Sequence, residues 1–278
     1  MSQILTTSGA DVARGSGFDV HTAVEGVIRP WRATIEPEIS GFGGAHGGYL
    51  SAIALRAMAK VVTDPERVPR SLSLHLLAAV DAGRIGLHPH VQRSGGSMTE
   101  VSLRVAQGTA TVGTALAAFG RARPSLQHAG AVMPDVPPPE QCDPLFSKPV
   151  AEAQAGYLVE HRPAAPPLPF AGADEARILV WMRLVEDRPV DAPLACMLAD
   201  AAVPALFAAL TEFVAMPSTE ITVHFVDVPA SARSPWVLAD LRTVHAADGY
   251  AIEDGELWTP DGRLVLVARQ LRRILGAA

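Results

Sequence analysis

The sequence has few aromatic residues, no concentration of basic residues and almost no cysteine, and each shortage excludes a class of protein. Aromatic residues make up 5% of the 278 residues, so a core must be built mainly from aliphatic side chains and alanine. The 23 lysines and arginines are outnumbered by 29 acidic residues, which gives a net charge of −6. A mildly acidic chain without a basic cluster is a poor ligand for nucleic acid or an anionic membrane.

The two cysteines, Cys142 and Cys196, are too few for a disulfide framework and form no C-x-x-C pair that could hold zinc. Residues 1–17 show no basic start followed by an apolar run, so no secretory signal is predicted. The longest apolar stretch, residues 194–216, is interrupted by charged residues and a proline and is too polar to cross a bilayer. We therefore expect a folded protein of the reducing cytoplasm, consistent with its content of 49% hydrophobic and 19% charged residues.

Proline is concentrated in one segment. Residues 123–174 contain eleven of the 23 prolines, and so many fixed φ angles and missing N–H donors exclude a continuous helix or a central strand. This segment is predicted to be a surface connector, with a short helix near residues 149–157. It divides the chain into two halves of domain size, residues 1–122 and 175–278.

The two halves show the same order of patterns. In each half, a strand and a long apolar helix precede a series of short β-rich runs separated by glycine-containing turns. The first half has a Gly-rich turn at 41–48, a helix from about 49 to 62, and strands at 71–80, 84–93, 99–106 and 109–120. The second half has a strand at 178–185, a mostly helical stretch at 194–214, and strands at 218–228, 236–245, 250–258 and 263–271.

The register of the two halves supports a true internal repeat. Residues 72–76 (LSLHL) align with residues 221–225 (ITVHF), and Gly108 aligns with Gly262. A helix that is apolar on nearly all sides must be covered on several sides, and the concave face of a curved antiparallel sheet can cover it. The sequence therefore predicts an α+β fold of two helix-wrapped sheets that pair side by side.

Five short segments carry a further signal. They are FGGAHGG at 42–48, CMLAD at 196–200, PSTEITVHF at 217–225, DGY at 248–250 and DGRLVLVARQ at 261–270. Together they resemble acyl-CoA thioesterase II, a double-hotdog family, over roughly residues 18–122 and 175–274. The resemblance implies an α+β double hotdog with an N-terminal hotdog at 1–122, the connector at 123–174, and a C-terminal hotdog at 175–278 that carries the catalytic residues.

In that family an Asp, a Thr and a Gln hold a water molecule that attacks the thioester. The resemblance places the Asp at Asp200 and the Gln at Gln270, whereas the Thr position is occupied by Ser218. Thr219 is the alternative source of the hydroxyl, but neighbouring strand residues point to opposite faces and the alignment favours Ser218. The three side chains can accept and donate hydrogen bonds to a water, as such hydrolysis requires.

The Gly-rich entry to the first helix supplies the candidate substrate-binding residues. Helix N-termini offer free N–H groups, so the backbone of Gly47, Gly48 and Tyr49 is expected to stabilise the oxyanion. His46, in the same loop, is a candidate for substrate contact. The resemblance further implies an acyl-CoA substrate, no metal or redox cofactor, a role in lipid metabolism, and a homo-oligomer, either dimer or tetramer.

The repeat predicts a single active centre in each chain. The first-half helix, residues 47–62, contains no Asp or Glu. The position that matches Ser218 is Pro69, and counting from Gly108 and Gly262 matches Gln270 to Leu116. Only the second half can therefore provide the polar residues.

Several alternatives stay open on sequence alone. Asp200 could cap a helix that starts near Ala201, and Gln270 could be an exposed residue on an edge strand. His75 and His224 alternate with apolar residues and are interpreted as structural. A non-catalytic protein that binds an acyl or small apolar ligand is one rival function. An enoyl-thioester hydratase or dehydratase is another, disfavoured because that chemistry usually employs a His with a carboxylate and no neighbouring His/Asp pair is expected near Asp200.

Overall fold

The computed structural model describes residues 17–41, 43–145, 158–227 and 234–276. The helices are α1 (Phe18–His21), α2 (Gly47–Ala59) and α3 (Ala192–Leu198), with short 3-10 helices at Pro37–Ile39, Pro139–Gln141 and Ala205–Ala208. The strands are β1 (Trp31–Ile35), β2 (Ser40–Gly41), β3 (Gly44–Ala45), β4 (Val68–Leu76), β5 (Gly83–Ser94), β6 (Met98–Gln107), β7 (Ala110–Gly120), β8 (Val159–Ala165), β9 (Arg177–Leu184), β10 (Ser218–Phe225), β11 (Val237–Ala247), β12 (Tyr250–Trp258) and β13 (Leu264–Arg273). Within the described chain, no helix combines the length and the hydropathy that crossing a bilayer requires.

One large antiparallel sheet contains both halves. Its strand order is β1-β5-β6-β7-β4-β10-β13-β12-β11-β9-β8, so the halves join at the central pair β4–β10. Helix α2 packs on β4, β5, β6, β7 and β10 and also against α3. The main core lies around these two helices and includes side chains from both halves. This is the predicted α+β arrangement of two helix-covered antiparallel sheets placed side by side.

The pairing of β4 with β10 confirms the alignment of the repeat. Residues 71–75 pair with residues 224–220, and Ser73 lies opposite Thr222, its own counterpart in the repeat. A pseudo-two-fold axis therefore passes through this pair, and the two hydroxyl groups are 2.8 Å apart. The duplicated pattern in the sequence is thus a structural symmetry.

One equivalence predicted from the repeat is wrong. Gln270 pairs with Ile221 across β13 and β10, and in the first half Ala117 pairs with Leu72, the counterpart of Ile221. The counterpart of Gln270 is therefore Ala117, which is 1% exposed, and not Leu116, which is 51% exposed. The prediction counted residues from Gly108 and Gly262. These glycines are not equivalent positions, because the β12–β13 turn is longer than the β6–β7 turn.

The second-half helix is much shorter than predicted. The pattern indicated helix through most of 194–214, but α3 ends at Leu198. Pro204 has no N–H to donate to the carbonyl four residues earlier. The Ala199 carbonyl accepts a hydrogen bond from the Gln270 side chain at 3.0 Å in place of a helical N–H. A tertiary contact therefore takes the place of the next α-helical hydrogen bond after α3.

Part of the proline-rich segment 123–174 belongs to the sheet. β8 pairs with β9 at one edge, where a strand tolerates Pro163 because one of its sides is unpaired. The second half of the sheet thus begins at β8, before residue 175, the predicted start of the C-terminal hotdog. The helix predicted near 149–157 lies outside the described residues, as does Phe42 of the Gly-rich motif.

Another part of the same segment covers the second half of the sheet. Trp181 donates a hydrogen bond from Nε1 to the Pro137 carbonyl at 2.8 Å. Trp181, Trp236 and the buried free thiol Cys142 form a second apolar cluster, against which Met133 packs. The prolines therefore give an extended surface layer with its own small core.

Glycines allow α2 and α3 to approach closely. A Cβ added at Gly48 would lie 2.4 Å from the carbonyl oxygen of Met197 in α3. A Cβ added at Gly47 would lie 2.8 Å from a carboxylate oxygen of Asp200. The Met197 carbonyl and the Asp200 carboxylate both belong to the other half of the chain. A side chain at Gly47 or Gly48 would collide with them, so only glycine fits at the start of α2.

We expect Gly48→Ala to destabilise the protein by about 2 kcal/mol or more, because overpacking against a fixed backbone outweighs the gain in helix propensity of about 1 kcal/mol. Urea unfolding measures the effect. Gly96→Ala is the matched control, because an added Cβ there meets nothing within 4 Å. Equal stability of the two variants would contradict the close contact.

Candidate active site

Asp200 lies in the turn that follows α3 and points toward the N-terminus of α2. Its Oδ2 accepts a hydrogen bond from the Gly48 N–H at 3.0 Å, and its Oδ1 is 3.1 Å from the Ser218 hydroxyl. The carboxylate is buried, with the residue 8% exposed. Asp200 therefore does not cap a helix starting at Ala201. It satisfies a free donor of a helix in the other half of the chain.

Ser218 brings the start of β10 to the same point. Its Oγ is 2.9 Å from Oε1 of Gln270, in addition to its contact with Asp200. The hydroxyl of Thr219, by contrast, donates to the Leu271 carbonyl at 3.0 Å. The structure thus assigns Ser218 and not Thr219 to this cluster, as the alternation of side chains on a strand predicts.

Gln270 is a buried residue on an interior strand. It is 3% exposed and lies on β13, between β10 and β12, so the edge-strand interpretation is wrong. Its Nε2 donates to the Ala199 carbonyl at 3.0 Å, which directs Oε1 toward Ser218. Both ends of the amide are therefore fixed by named partners.

The turn that carries Asp200 is held on both sides. Gln270 binds the carbonyl of Ala199, and the Nε2 of His161 on β8 is 3.0 Å from the carbonyl of Ala201. A carbonyl can only accept, so this nitrogen carries the proton. Burial lowers the pKa of His161, more than its backbone hydrogen bonds raise it, which favours the neutral ring.

Two charged residues that the sequence analysis did not identify complete the cluster. Arg272 on β13 donates from Nη1 to Ser218 at 3.0 Å, and its Nη2 is 3.5 Å from Oδ1 of Asp200. Glu253 on β12 forms a buried ion pair with Arg272 at 2.8 Å. The period of two along β13 could have identified Arg272, because it shares a face with Gln270. Glu253 lies directly opposite Gln270 on the neighbouring strand.

His46 is closer to Asp200 than the sequence suggested. It is the N-cap residue of α2, and its Nδ1 accepts from the Gly48 N–H at 3.1 Å. The same Nδ1 is 3.9 Å from Oδ2 of Asp200. The expectation that no histidine neighbours Asp200 is therefore wrong. Both atoms accept from one N–H group, so they do not bond to each other.

The N-terminus of α2 is only partly free for a ligand. The N–H of Gly48 is bonded to Asp200 and His46, and its role as an oxyanion donor stays a prediction. The Tyr49 side chain is buried and packs against Phe18, so only its backbone N–H can face the site. Gly47 also lies close to the Asp200 carboxylate, because a Cβ added there would be 2.8 Å from Oδ2.

An apolar cavity lies beside this helix terminus. It has a volume of about 10 Å³. Its walls come from α2 and from strands of the first half, and they include Leu50, Ile53, Leu74, Leu76, Ile85 and Leu87. The Leu76 side chain lies 3.4 Å from the position of a Cβ at Gly47, so the cavity borders the Asp200 site.

The equivalent positions of the first half are apolar. Strand pairing relates Ser218 to Pro69, Arg272 to Phe119, and Glu253 to Val101. Phe119 and Val101 are buried in the core. The polar cluster therefore occurs on one side of the pseudo-two-fold axis, and its counterpart is part of the hydrophobic core.

Two family models match the chain. The model of the acyl-CoA thioesterase N-terminal domain matches residues 35–120, and that of the acyl-CoA thioesterase C-terminal domain matches residues 133–274. No curated protein matches the chain. The C-terminal match alone extends over half of the sequence and includes Asp200, Ser218 and Gln270.

Solved structures confirm the fold. A conserved protein of unknown function with a hot dog fold from Alicyclobacillus acidocaldarius is 27% identical over 94% of this chain and 98% of its own, with a TM-score of 0.86. Acyl-CoA thioesterase II TesB2 from Mycobacterium marinum is 21% identical over 94% and 99%, with a TM-score of 0.76. The tesB protein of Mycobacterium avium subs paratuberculosis is 19% identical over 93% and 98%, with a TM-score of 0.77. The predicted double hotdog is therefore correct.

The buried His161 predicts a loss of stability in mild acid. Its pKa is lowered in the folded protein, so below about pH 6.5 the unfolded chain binds a proton that the folded chain does not. This contribution is fully present above pH 6.5 and falls by up to about 1.4 kcal/mol per pH unit below it. His161→Gln keeps a donor for Ala201 but cannot titrate, so its free energy of unfolding should fall less between pH 7.5 and 5.5.

Urea unfolding at the two pH values measures this difference. His224→Gln is the control, because His224 is exposed and should behave like the wild type. If His161→Gln lost as much stability in acid as the wild type, the neutral buried imidazole would be disproved.

Proposed function

This chain belongs to the acyl-CoA thioesterase family, and from that premise we propose that it hydrolyses an acyl-CoA to the free acid and coenzyme A. A water molecule held by Asp200, Ser218 and Gln270 is the proposed nucleophile. One observation carries the proposal: these three side chains, distant in sequence, converge within hydrogen-bond distance at the N-terminus of α2.

The hydrogen-bond count at Ser218 supports a water site. The hydroxyl has a single hydrogen, yet two acceptors lie within reach, Oδ1 of Asp200 at 3.1 Å and Oε1 of Gln270 at 2.9 Å. The oxygen that does not receive this hydrogen keeps a lone pair that can accept from another donor. A water can donate to that oxygen and direct its own lone pair at a carbonyl carbon.

The proposed reaction then needs no covalent enzyme intermediate. Asp200 takes a proton from the water as its oxygen adds to the thioester carbon, and the carbonyl becomes an oxyanion. The N–H of Gly47 and the dipole of α2 are placed to stabilise that charge. The C–S bond breaks as the carbonyl re-forms, and the proton held by Asp200 balances the departing thiolate.

The cavity next to Gly47 supports binding of the acyl group in the first half. Its lining is apolar, and it borders the point where Gly47 and Asp200 meet. A volume of about 10 Å³ is close to the room that one water molecule needs. Any acyl group is larger than one water molecule, so its entry requires the walls to separate, and the cavity sets no chain-length preference.

We expect Asp200→Asn to lower kcat by about 10²- to 10⁴-fold, because the amide keeps the size of the side chain but cannot take the proton. Thiol release from acyl-CoAs of increasing length measures the rate. Asp254→Asn, an exposed neighbour on β12, is the control and should retain the wild-type rate.

Two results would overturn the assignment. Equal rates for wild type and Asp200→Asn would exclude Asp200 as the base. Absence of thiol release from every acyl-CoA by the folded wild type would favour a protein that binds an acyl ligand without hydrolysing it.

A second candidate reaction is favoured by one observation, the 3.9 Å between His46 Nδ1 and Asp200 Oδ2. A histidine beside a carboxylate is suited to moving a proton at a substrate carbon, as hydration of an enoyl thioester requires. Crotonyl-CoA separates the two reactions, because hydration removes the conjugated double bond without releasing thiol. Hydration that is lost in His46→Gln, with no thiol release, would replace the thioesterase proposal.

The choice of hydroxyl can be tested in a matched pair. Ser218→Ala should lower kcat by about 10- to 100-fold, because it removes a hydrogen bond to a charged group at the site. Thr219→Val should leave kcat nearly unchanged, since its hydroxyl donates to the Leu271 carbonyl. The opposite ranking of the two rates would show that Thr219 supplies the hydroxyl.

A further inference from the structure

The buried guanidinium of Arg272 contacts two of the three proposed water-holding residues. Nη1 donates to the hydroxyl oxygen of Ser218 at 3.0 Å, and Nη2 is 3.5 Å from Oδ1 of Asp200. It is thus the positive charge placed directly against the proposed base. A hydroxyl that accepts from Arg272 must direct its own hydrogen toward Asp200, Gln270 or a water.

Glu253 fixes the guanidinium in this orientation. Its Oε1 accepts from Nε of Arg272 at 3.1 Å and from Nη2 at 2.8 Å, while its Oε2 accepts from the N–H of Ala205. Burial opposes the charge on Arg272, but the neighbouring carboxylates of Glu253 and Asp200 outweigh it and raise the pKa of the guanidinium. The planar fork therefore presents Nη1 to Ser218 in one geometry.

The fold does not need this ion pair. The pseudo-two-fold axis places Phe119 at the position of Arg272 and Val101 at that of Glu253, and both are buried. Burying ions is costly, and an apolar pair of suitable size is often as stable or more stable. The same arrangement of strands holds the apolar pair in one half and the charged pair in the other. The charged pair is therefore attributed to the function of the site and not to the stability of the fold.

We propose that Arg272 is a positioning residue for the hydrolysis, held by Glu253. It fixes the Ser218 hydroxyl as a donor toward the site and places a positive charge beside the Asp200 carboxylate. This inference rests on the proposed function. It assigns to the charged pair a role that the Asp–Ser–Gln set does not include.

The test copies the apolar pair of the first half into the second. The double variant Glu253→Val/Arg272→Phe should fold, because the equivalent strands already carry these residues. Its kcat for acyl-CoA hydrolysis should fall about 10-fold or more with little change in KM.

Arg272→Lys separates the two parts of the role. A lysine keeps the positive charge beside Asp200 but cannot contact Ser218 and Glu253 together. We expect a reduced kcat with a KM close to that of the wild type. This variant also keeps the proposal testable if the double variant does not fold.

Asp254→Asn/Arg269→Gln is the matched control. It removes an ion pair from the same two strands, but this pair is exposed, with Nε and Oδ1 2.6 Å apart. It should leave both kcat and KM unchanged.

The outcomes distinguish this inference from the proposed function. A folded Glu253→Val/Arg272→Phe, or an Arg272→Lys, with wild-type kcat would disprove the positioning role. The loss of activity in Asp200→Asn would still support the hydrolysis. A wild type that hydrolyses no acyl-CoA would instead overturn both.

Discussion

The close approach of two helix ends, one from each half of the chain, determines the rest of the structure. The N-terminus of α2 meets the end of α3 where Gly47 and Gly48 leave no side chain between them. The Gly48 N–H then donates to Asp200, so a donor that its own helix cannot satisfy is satisfied by a carboxylate of the other half. This one hydrogen bond sets the position of the acid, and it brings the start of α2 into the site. Because the acid stands there, the short turn after α3 has to be held by Gln270 and His161 rather than by continued helix.

The electrostatics of the site follow from its burial. Two carboxylates, Asp200 and Glu253, share a single guanidinium in a region that water hardly reaches. The remaining negative charge is balanced by the N–H groups and dipole at the start of α2, and by the N–H of Ala205. Each charged atom therefore has partners of the opposite sign, which is the condition for a buried polar cluster to persist in a hydrophobic core.

The sequence predicts the fold well and the site in part, for reasons that differ between residues. Alternating apolar residues define the strands, because side chains on a strand face opposite sides in turn. The resemblance identified Asp200, Ser218 and Gln270, which the structure brings into contact. It did not identify Arg272 or Glu253, because their roles depend on which strands lie side by side. The length of α3 also could not be predicted, since its residues favour helix and the hydrogen bonds to the Ala199 and Ala201 carbonyls, which hold the following turn, come from strands distant in sequence. The repeat was aligned correctly on the central strands, but one position was misassigned where the turns differ in length.

The pseudo-two-fold axis through Ser73 and Thr222 also explains how such a site can exist at all. In a homodimer of a single unit, each substitution appears twice, so a residue that suits one copy is imposed on the other. Joining two units in one chain removes this coupling and lets equivalent positions evolve independently. Arg272 and Phe119 show this freedom: the same place in the fold is charged in one half and apolar in the other. A tandem repeat can therefore concentrate polar groups on one side while the opposite side supplies the apolar packing that keeps both halves folded.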